Sequence, residues 1–193
     1  GLAQIGGTET NARILAALPS SSVPVRARLI GVLGARKAEN ARGELLKLAA
    51  SNDAEISKPS FRALAVLARP ADLPELIRLS IASQDDAVKV PADLAIFAVS
   101  MKIEPAAQRA EPVLTAFRKS TDGKTKCALL RPLGAIVKAT GGSPETFAIV
   151  TAALKDSDAQ VRDTALRSLA DWPDASPAAL LLDIIKNDPD PAR

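Results

Sequence analysis

Apolar side chains recur along this chain with a short period inside helices and a longer period between them. Five stretches align without gaps, and apolar residues follow one another in them at intervals of four. The aligned columns hold Val25, Ile56, Val88, Thr125 and Val161, then Leu29, Ser60, Ala92, Leu129 and Ala165, then Leu33, Leu64, Ile96, Leu133 and Leu169. An i, i+4, i+8 spacing places the three columns on one face of an α-helix. Successive stretches lie about 31 to 37 residues apart, which is the length of one helical hairpin.

Polar residues mark where these helices begin. Three residues before the first column stand side chains that can accept hydrogen bonds from the free amides of a first turn: Ser22, Asp53, Asp85, Asp122 and Asp158. A second amphipathic helix follows in each stretch, and two of these open with a Ser-Pro pair, at Ser143 and Ser176. Proline suits the first position of a helix. The pattern therefore predicts a series of capped helix pairs.

The motif Asp-x-x-Val-Arg, followed by an apolar helix ending in Leu-Gly or Leu-Ala and by a second amphipathic helix, resembles the HEAT repeat. VRDTALRSLADW, from Val161 to Trp172, is a close instance. The resemblance implies an all-α fold, a right-handed α-α superhelix (a HEAT-like solenoid) of stacked antiparallel helix pairs. It covers the chain as a single α-solenoid, 1–193, with approximate units 1–21 (partial), 22–52, 53–84, 85–121, 122–157 and 158–193, the last running into a truncated next repeat. Thr125 and Ser57 depart from the pattern, where other units carry Val or Ile and a basic residue.

Three prolines conflict with this helical pattern. Pro59 and Pro91 fall in one aligned column, and Pro132 lies deeper in its helix. Proline removes a backbone hydrogen bond and collides with the preceding turn. The affected helices therefore either start late or are kinked, and we expect kinks.

Composition favours packed helices and argues against catalysis. Hydrophobic residues make up 47% of the chain and aromatic residues only 3%, which suits helices better than a β-sandwich. The sequence has no histidine, so His-based zinc sites, general bases and Ser-His-Asp triads are excluded. The carboxylate pairs in turns are interpreted as helix caps, the glycine pairs as helix ends, and Cys127 as a small filler. We expect no catalytic, cofactor or metal site, and no enzyme.

The charge distribution suggests a binding surface on the second helices. The net charge is +3, from 25 basic and 22 acidic residues, and many basic residues lie on the first helices. HEAT-type stacking implies that first helices face the convex side and that second helices line the concave side. Nucleic-acid binding is disfavoured because the basic residues and stacking aromatics would be expected in the groove instead. The candidate partner-binding face comprises Arg42, Glu44, Lys47, Glu75, Arg78, Glu111, Arg118 and Lys119.

These features predict a non-catalytic protein-protein interaction or scaffolding module within a larger polypeptide, whose partner is an unknown protein or an attached domain of the same chain. Two alternatives stay open, a spacer that positions attached domains and a HEAT-like nucleic-acid-binding or lyase-type domain. No stretch has the length of a membrane span, and the sequence leaves a cytoplasmic and a periplasmic or exported location open.

The two ends of the sequence resemble interrupted repeats. GLAQIGG matches the closing turn of a first helix, and KNDPDPAR aligns with KDSDAQVR, so that Arg193 takes the place of Arg162. We expect a segment of a larger bacterial multi-domain protein, and a chain longer by one repeat at each end to melt at a higher temperature.

Overall fold

The computed structural model describes residues 7–83 and 85–187, and within these ranges the chain is all-α, with no β-strand. The helices are α1 (Thr8–Ala17), α2 (Val23–Ala35), α3 (Arg42–Ala49), α4 (Ala54–Leu67), α5 (Leu73–Ala82), α6 (Asp86–Ser100), α7 (Glu111–Lys119), α8 (Gly123–Thr140), α9 (Pro144–Ala153), α10 (Ala159–Ala170) and α11 (Ala178–Asn187). The predicted fold class is confirmed. The interrupted repeats that the sequence predicts at the two ends, residues 1–7 and 186–193, lie outside the described residues except for Gly7, Lys186 and Asn187.

The chain forms two compact units, the first ending at Ile103 and the second beginning at Glu104. In the first unit α2, α4 and α6 pack side by side in chain order, while α3 packs on α4 and α5 on α6. In the second unit α8 packs on α10, α7 on α8 and α9 on α10. Each unit is a stack of helix pairs of the HEAT-like solenoid type. The finer division into repeats stays a prediction.

The aligned apolar columns form the core of both units. In the third column Leu33, Leu64, Ile96 and Leu133 are 0% exposed and Leu169 is 1% exposed. The exceptions are Val25, which is 46% exposed, and Leu29 and Thr125, which are half-buried. The periodicity therefore identified the buried face of α4, α6 and α10 along its length, that of α8 beyond Thr125, and that of α2 only at Leu33.

The predicted aspartate N-caps are present. The side chains of Asp53, Asp85 and Asp158 accept hydrogen bonds from Glu55 N, Ala87 N and Gln160 N at 2.9, 2.8 and 2.8 Å. Asp122 accepts one from Thr125 N at 2.8 Å. Ser22 also precedes its helix, but its hydroxyl makes no capping bond. Each aspartate satisfies an amide that has no partner within its own helix.

The three prolines lie inside helices. Pro59, Pro91 and Pro132 belong to α4, α6 and α8, which begin earlier, at Ala54, Asp86 and Gly123. The late start that the sequence left open is therefore excluded. Because proline has no amide hydrogen, the carbonyl four residues before each proline loses its usual helical donor.

Small residues allow the first helices to approach closely. A Cβ atom on Gly34 would lie 3.0 Å from both Cα and Cβ of Ala63, across the α2–α4 contact. A Cβ atom on Gly134 would lie 3.0 Å from Oγ of Ser168, across the α8–α10 contact. The two glycines occupy the same aligned position, one residue after the third apolar column. This position therefore limits how closely α2 approaches α4 and how closely α8 approaches α10.

Candidate functional site

The second helices present a charged side while their apolar side is buried. In α3 the buried residues are Leu45 and Ala49, and in α7 they are Val113 and Leu114. The helix α5 buries four residues, Leu73, Leu76, Ile77 and Leu79. The remaining sides carry the predicted partner-binding residues. We call the charged sides of α3 and α5 in the first unit, and of α7 and α9 in the second, the second-helix surfaces.

In the first unit the predicted residues form ion pairs one helical turn apart. Lys47 Nζ lies 3.2 Å from Glu44 Oε2. Arg78 donates two hydrogen bonds to Glu75, at 2.8 and 2.7 Å. These bonds lower the pKa of the Glu75 carboxyl below its ordinary value. Both pairs are solvent-exposed, so each contributes little to stability and leaves its charges accessible to a partner.

A further ion pair links neighbouring elements of the first unit. Arg42 Nε, on α3, lies 3.5 Å from Oδ2 of Asp72, the residue before α5. The two side chains are 28% and 16% exposed, so this pair is more buried than the pairs within helices. Asp72 also accepts a hydrogen bond from the amide of Arg69 at 2.8 Å. Arg42 therefore ties α3 to the start of α5.

In the second unit Arg118 joins two helices. Its guanidinium donates to Glu111 Oε1 at 2.8 Å, within α7, and also to Glu145 Oε1 in the first turn of α9. Thr115 Oγ1 donates to the same Glu111 oxygen at 2.9 Å. The hydrogen bond from Arg118, supported by that from Thr115, lowers the pKa of the Glu111 carboxyl. Lys119, the last predicted residue, is exposed at the end of α7.

Sequence reasoning missed Asp72 and Glu145, although a signal for Glu145 was present. The second helices of the pairs, α3, α5, α7 and α9, each have an acidic residue in the first turn: Glu44, Glu75, Glu111 and Glu145. Acidic side chains there favour the helix dipole. Because all four lie in the first turn of a second helix, Glu145 could have been included in the predicted partner-binding face with the other three.

A cleft of about 850 Å³ lies at one end of the first unit's second-helix surface. It is lined by the C-terminal ends of α3 and α5 and by the start of α6, and its polar side chains include Asn52, Arg78 and Asp85. Arg78 is bonded to Glu75, and Asp85 caps α6. The cleft therefore enlarges the surface that Arg78 belongs to, and its main charges already have partners within the chain.

The basic residues next to the first apolar column bind the preceding turns. Arg26 donates to the carbonyl oxygens of Leu18, Pro19 and Ser21 at 2.8, 3.0 and 3.0 Å. Arg162 donates to those of Asp156 and Ser157 at 2.9 Å each. Lys126 Nζ instead lies 2.6 Å from the carboxylate of Asp156, and this bond lowers the pKa of that carboxyl. These residues hold turns between helix pairs.

Within residues 7–83 and 85–187, His, Cys, Asp and Glu side chains form no group of three or more that could hold a metal ion. Cys127 is buried, and burial raises the pKa of its thiol, which keeps it in the less nucleophilic protonated form. No helix in the described parts of the chain is long and apolar enough to cross a membrane.

The stacked helix pairs and the polar second-helix surfaces define an α-helical repeat protein. Residues 110–193 match the family model of HEAT repeats, and in this part the chain is similar to that family. The match confirms the resemblance inferred from the repeated motif. No curated protein shows a significant match to the chain. HEAT repeats are generally protein-interaction or scaffold modules and are typically non-catalytic.

Proposed function

We propose that the second-helix surfaces bind a protein partner, and that the chain acts as a non-catalytic interaction or scaffolding module within a larger polypeptide. The partner is a separate protein or a domain attached to the same chain. The proposed contact residues are those that the sequence predicted: Arg42, Glu44, Lys47, Glu75, Arg78, Glu111, Arg118 and Lys119.

One observation carries this proposal: in each unit an arginine crosses between neighbouring second-helix elements. Arg42 reaches Asp72 in the first unit, and Arg118 reaches Glu145 in the second. These bridges hold adjacent helices in register, so that charges of both signs stand in a fixed order on one side of each unit. Mixed charges in a fixed order favour electrostatic selection of a protein partner.

Photo-crosslinking in cells tests which side of the chain is bound. A photoreactive residue would replace Glu44, Glu75 or Lys119 on the second-helix surfaces, and Arg28 or Arg62 on the first helices α2 and α4 as matched controls. All five positions carry charged side chains. We expect adducts with a defined protein from the second-helix positions alone. Adducts from the first-helix positions alone would reject the proposal.

A charge exchange at one pair separates binding from stability. Arg78→Glu places two like charges together on α5, whereas Glu75→Arg combined with Arg78→Glu restores an ion pair of reversed direction. If Arg78 contacts the partner, both variants lose the crosslinked adduct, and only the single variant loses thermal stability. If the exchanged variant regained the adduct, the Glu75–Arg78 pair would stabilise α5 without contacting the partner.

A further inference from the structure

A second groove lies on the first helices of the second unit, between α8 and α10. It has a volume of about 320 Å³. Gly134 and Ala135 line it from α8, and Thr164 and Ser168 line it from α10. Because Gly134 has no side chain, Ser168 of α10 lies close to α8 at this point. We call this site the α8–α10 groove.

Basic side chains dominate the edges of the α8–α10 groove. Arg131 and Lys138 line it from α8 and Arg167 lines it from α10, while Asp171 is the one acidic lining residue. Lys138 Nζ lies 3.2 Å from Asp171 Oδ2, and Arg167 pairs at 3.0 Å with Asp163 on its own helix. The Lys138 and Arg167 side chains are 61% and 80% exposed. Exposed pairs of this kind are weak, so an anion can compete for them.

The equivalent positions in the first unit do not combine basic and hydroxyl side chains in this way. In the alignment Arg131 corresponds to Arg62 and Lys138 to Arg69, but Arg167 corresponds to Leu94 and Ser168 to Ala95. Leu94 is 54% exposed and Ala95 is buried. The combination of three cations with two hydroxyls therefore belongs to the α8–α10 groove and is not a general property of the repeat.

We propose that the α8–α10 groove binds an acidic segment of a protein in extended conformation. Arg131 and Lys138 are seven residues apart on one helix, which is about 10 Å at 1.5 Å per residue. Side chains on one face of an extended chain recur every two residues, at spacings of about 7 and 13 Å, which bracket this distance. The long, flexible side chains of Arg131 and Lys138 can cover the difference and so meet two carboxylates on one face of such a segment.

The groove hydroxyls suit a peptide backbone. Thr164 Oγ1 donates to Gln160 O at 2.7 Å and Ser168 Oγ donates to Thr164 O at 2.9 Å, so their hydrogens are used within α10. Each hydroxyl oxygen retains acceptor capacity for the N–H of a bound segment. A nucleic acid fits less well, because the lining has no aromatic side chain for base stacking and Asp171 would stand near the phosphates.

Fluorescence anisotropy with a labelled hexaglutamate peptide tests the groove. The triple variant Arg131→Gln, Lys138→Gln, Arg167→Gln is compared with Lys58→Gln, Arg62→Gln, Arg69→Gln, which removes the same number of charges from the first unit. At low ionic strength we expect wild-type binding, about tenfold weaker binding by the groove variant, and a change of less than about twofold in the control variant.

Three results would overturn the proposal: no binding by the wild-type protein, equal weakening in both triple variants, or tighter binding of a thymidine hexanucleotide than of the peptide. Amide NMR shifts of the wild-type protein provide a readout that does not depend on folding of the variants. Peptide-induced shifts confined to α8 and α10 would support the groove, and shifts spread over all basic helices would refute it.

Discussion

At the scale of single residues, two glycines of α2 have opposite roles. Gly31 is exposed and an added Cβ atom would meet nothing within 4 Å, whereas one on Gly34 would press on the Ala63 backbone at 3.0 Å. Glycine weakens a helix interior by about 0.5–1 kcal/mol relative to alanine. Replacing either glycine by alanine should therefore stabilise α2 itself. Only the replacement of Gly34 would also crowd α4.

This contrast gives the first prediction. Gly31→Ala should raise the free energy of unfolding by about 0.5 kcal/mol. Gly34→Ala should lower it by about 1 kcal/mol, because an overpacked contact costs about 1–3 kcal/mol and exceeds the helical gain. Denaturant unfolding followed by circular dichroism measures both values. A stabilised Gly34→Ala protein would show that α2 and α4 can separate at little cost.

At the scale of helices, caps and cross-helix bonds hold the elements in place. The caps lie at predictable distances from the apolar columns because they depend on local sequence alone. The bridge from Arg118 to Glu145 was not predicted as a contact, because it depends on how α7 and α9 pack. The start of α11 also differs from expectation. It lies at Ala178 rather than next to Ser176, whose amide donates to Asp174 Oδ1 at 2.8 Å in the preceding turn.

The caps give the second prediction. Asp53→Ala should lower the free energy of unfolding by about 1 kcal/mol, since it removes the acceptor for Glu55 N at the start of α4. Ser22→Ala is the matched control in the same unit, because Ser22 precedes α2 without a capping bond from its hydroxyl. Thermal melts should therefore separate the two variants. Equal losses would mean that the Asp53 carboxylate acts through charge or packing instead.

The Arg118 bridge gives the third prediction, on pH. Arg118 lowers the folded-state pKa of Glu111, so the interaction stabilises the protein above the unfolded pKa of Glu111 and is lost as the pH falls through the lowered value. Arg118→Gln should raise the Glu111 pKa, measured by carbon NMR of the carboxyl group. The wild-type and Arg118→Gln melting temperatures should converge in acid. A difference that persists below the Glu111 pKa would assign the effect of Arg118 to packing.

At the scale of the whole molecule, the sequence predicted what local periodicity encodes. The buried faces of α4, α6, α8 and α10 and the capping aspartates follow from spacing within a helix and from spacing between repeats. The division of the chain between Ile103 and Glu104 could not be predicted from such spacing, because it depends on the sum of many tertiary contacts. The α8–α10 groove was also beyond sequence reasoning. Its basic residues were identified on the first helices, but their arrangement around Gly134 requires the packing of two helices.

The second unit provides the last prediction, because its core lies within its own residues. Leu133 and Ile136 on α8 and Leu169 on α10 are at most 1% exposed, and these two helices pack together. Trp172 is 8% exposed, and its ring makes an edge-on contact with Phe147 at 5.3 Å between centroids. A chain of residues 104–193 should therefore fold when it is produced alone, with a helical circular dichroism spectrum.

Trp172 is the single tryptophan of the sequence, so its fluorescence reports directly on that fold. The emission of the 104–193 chain should be blue-shifted and should move to longer wavelength in one cooperative step with denaturant. Phe147→Ala should lower the midpoint of that step. Loss of a fully buried phenylalanine side chain costs about 3–5 kcal/mol. Because Phe147 is half-buried, we expect a loss of stability below that range. Emission typical of exposed tryptophan in the 104–193 chain would show that its core needs residues from the first unit.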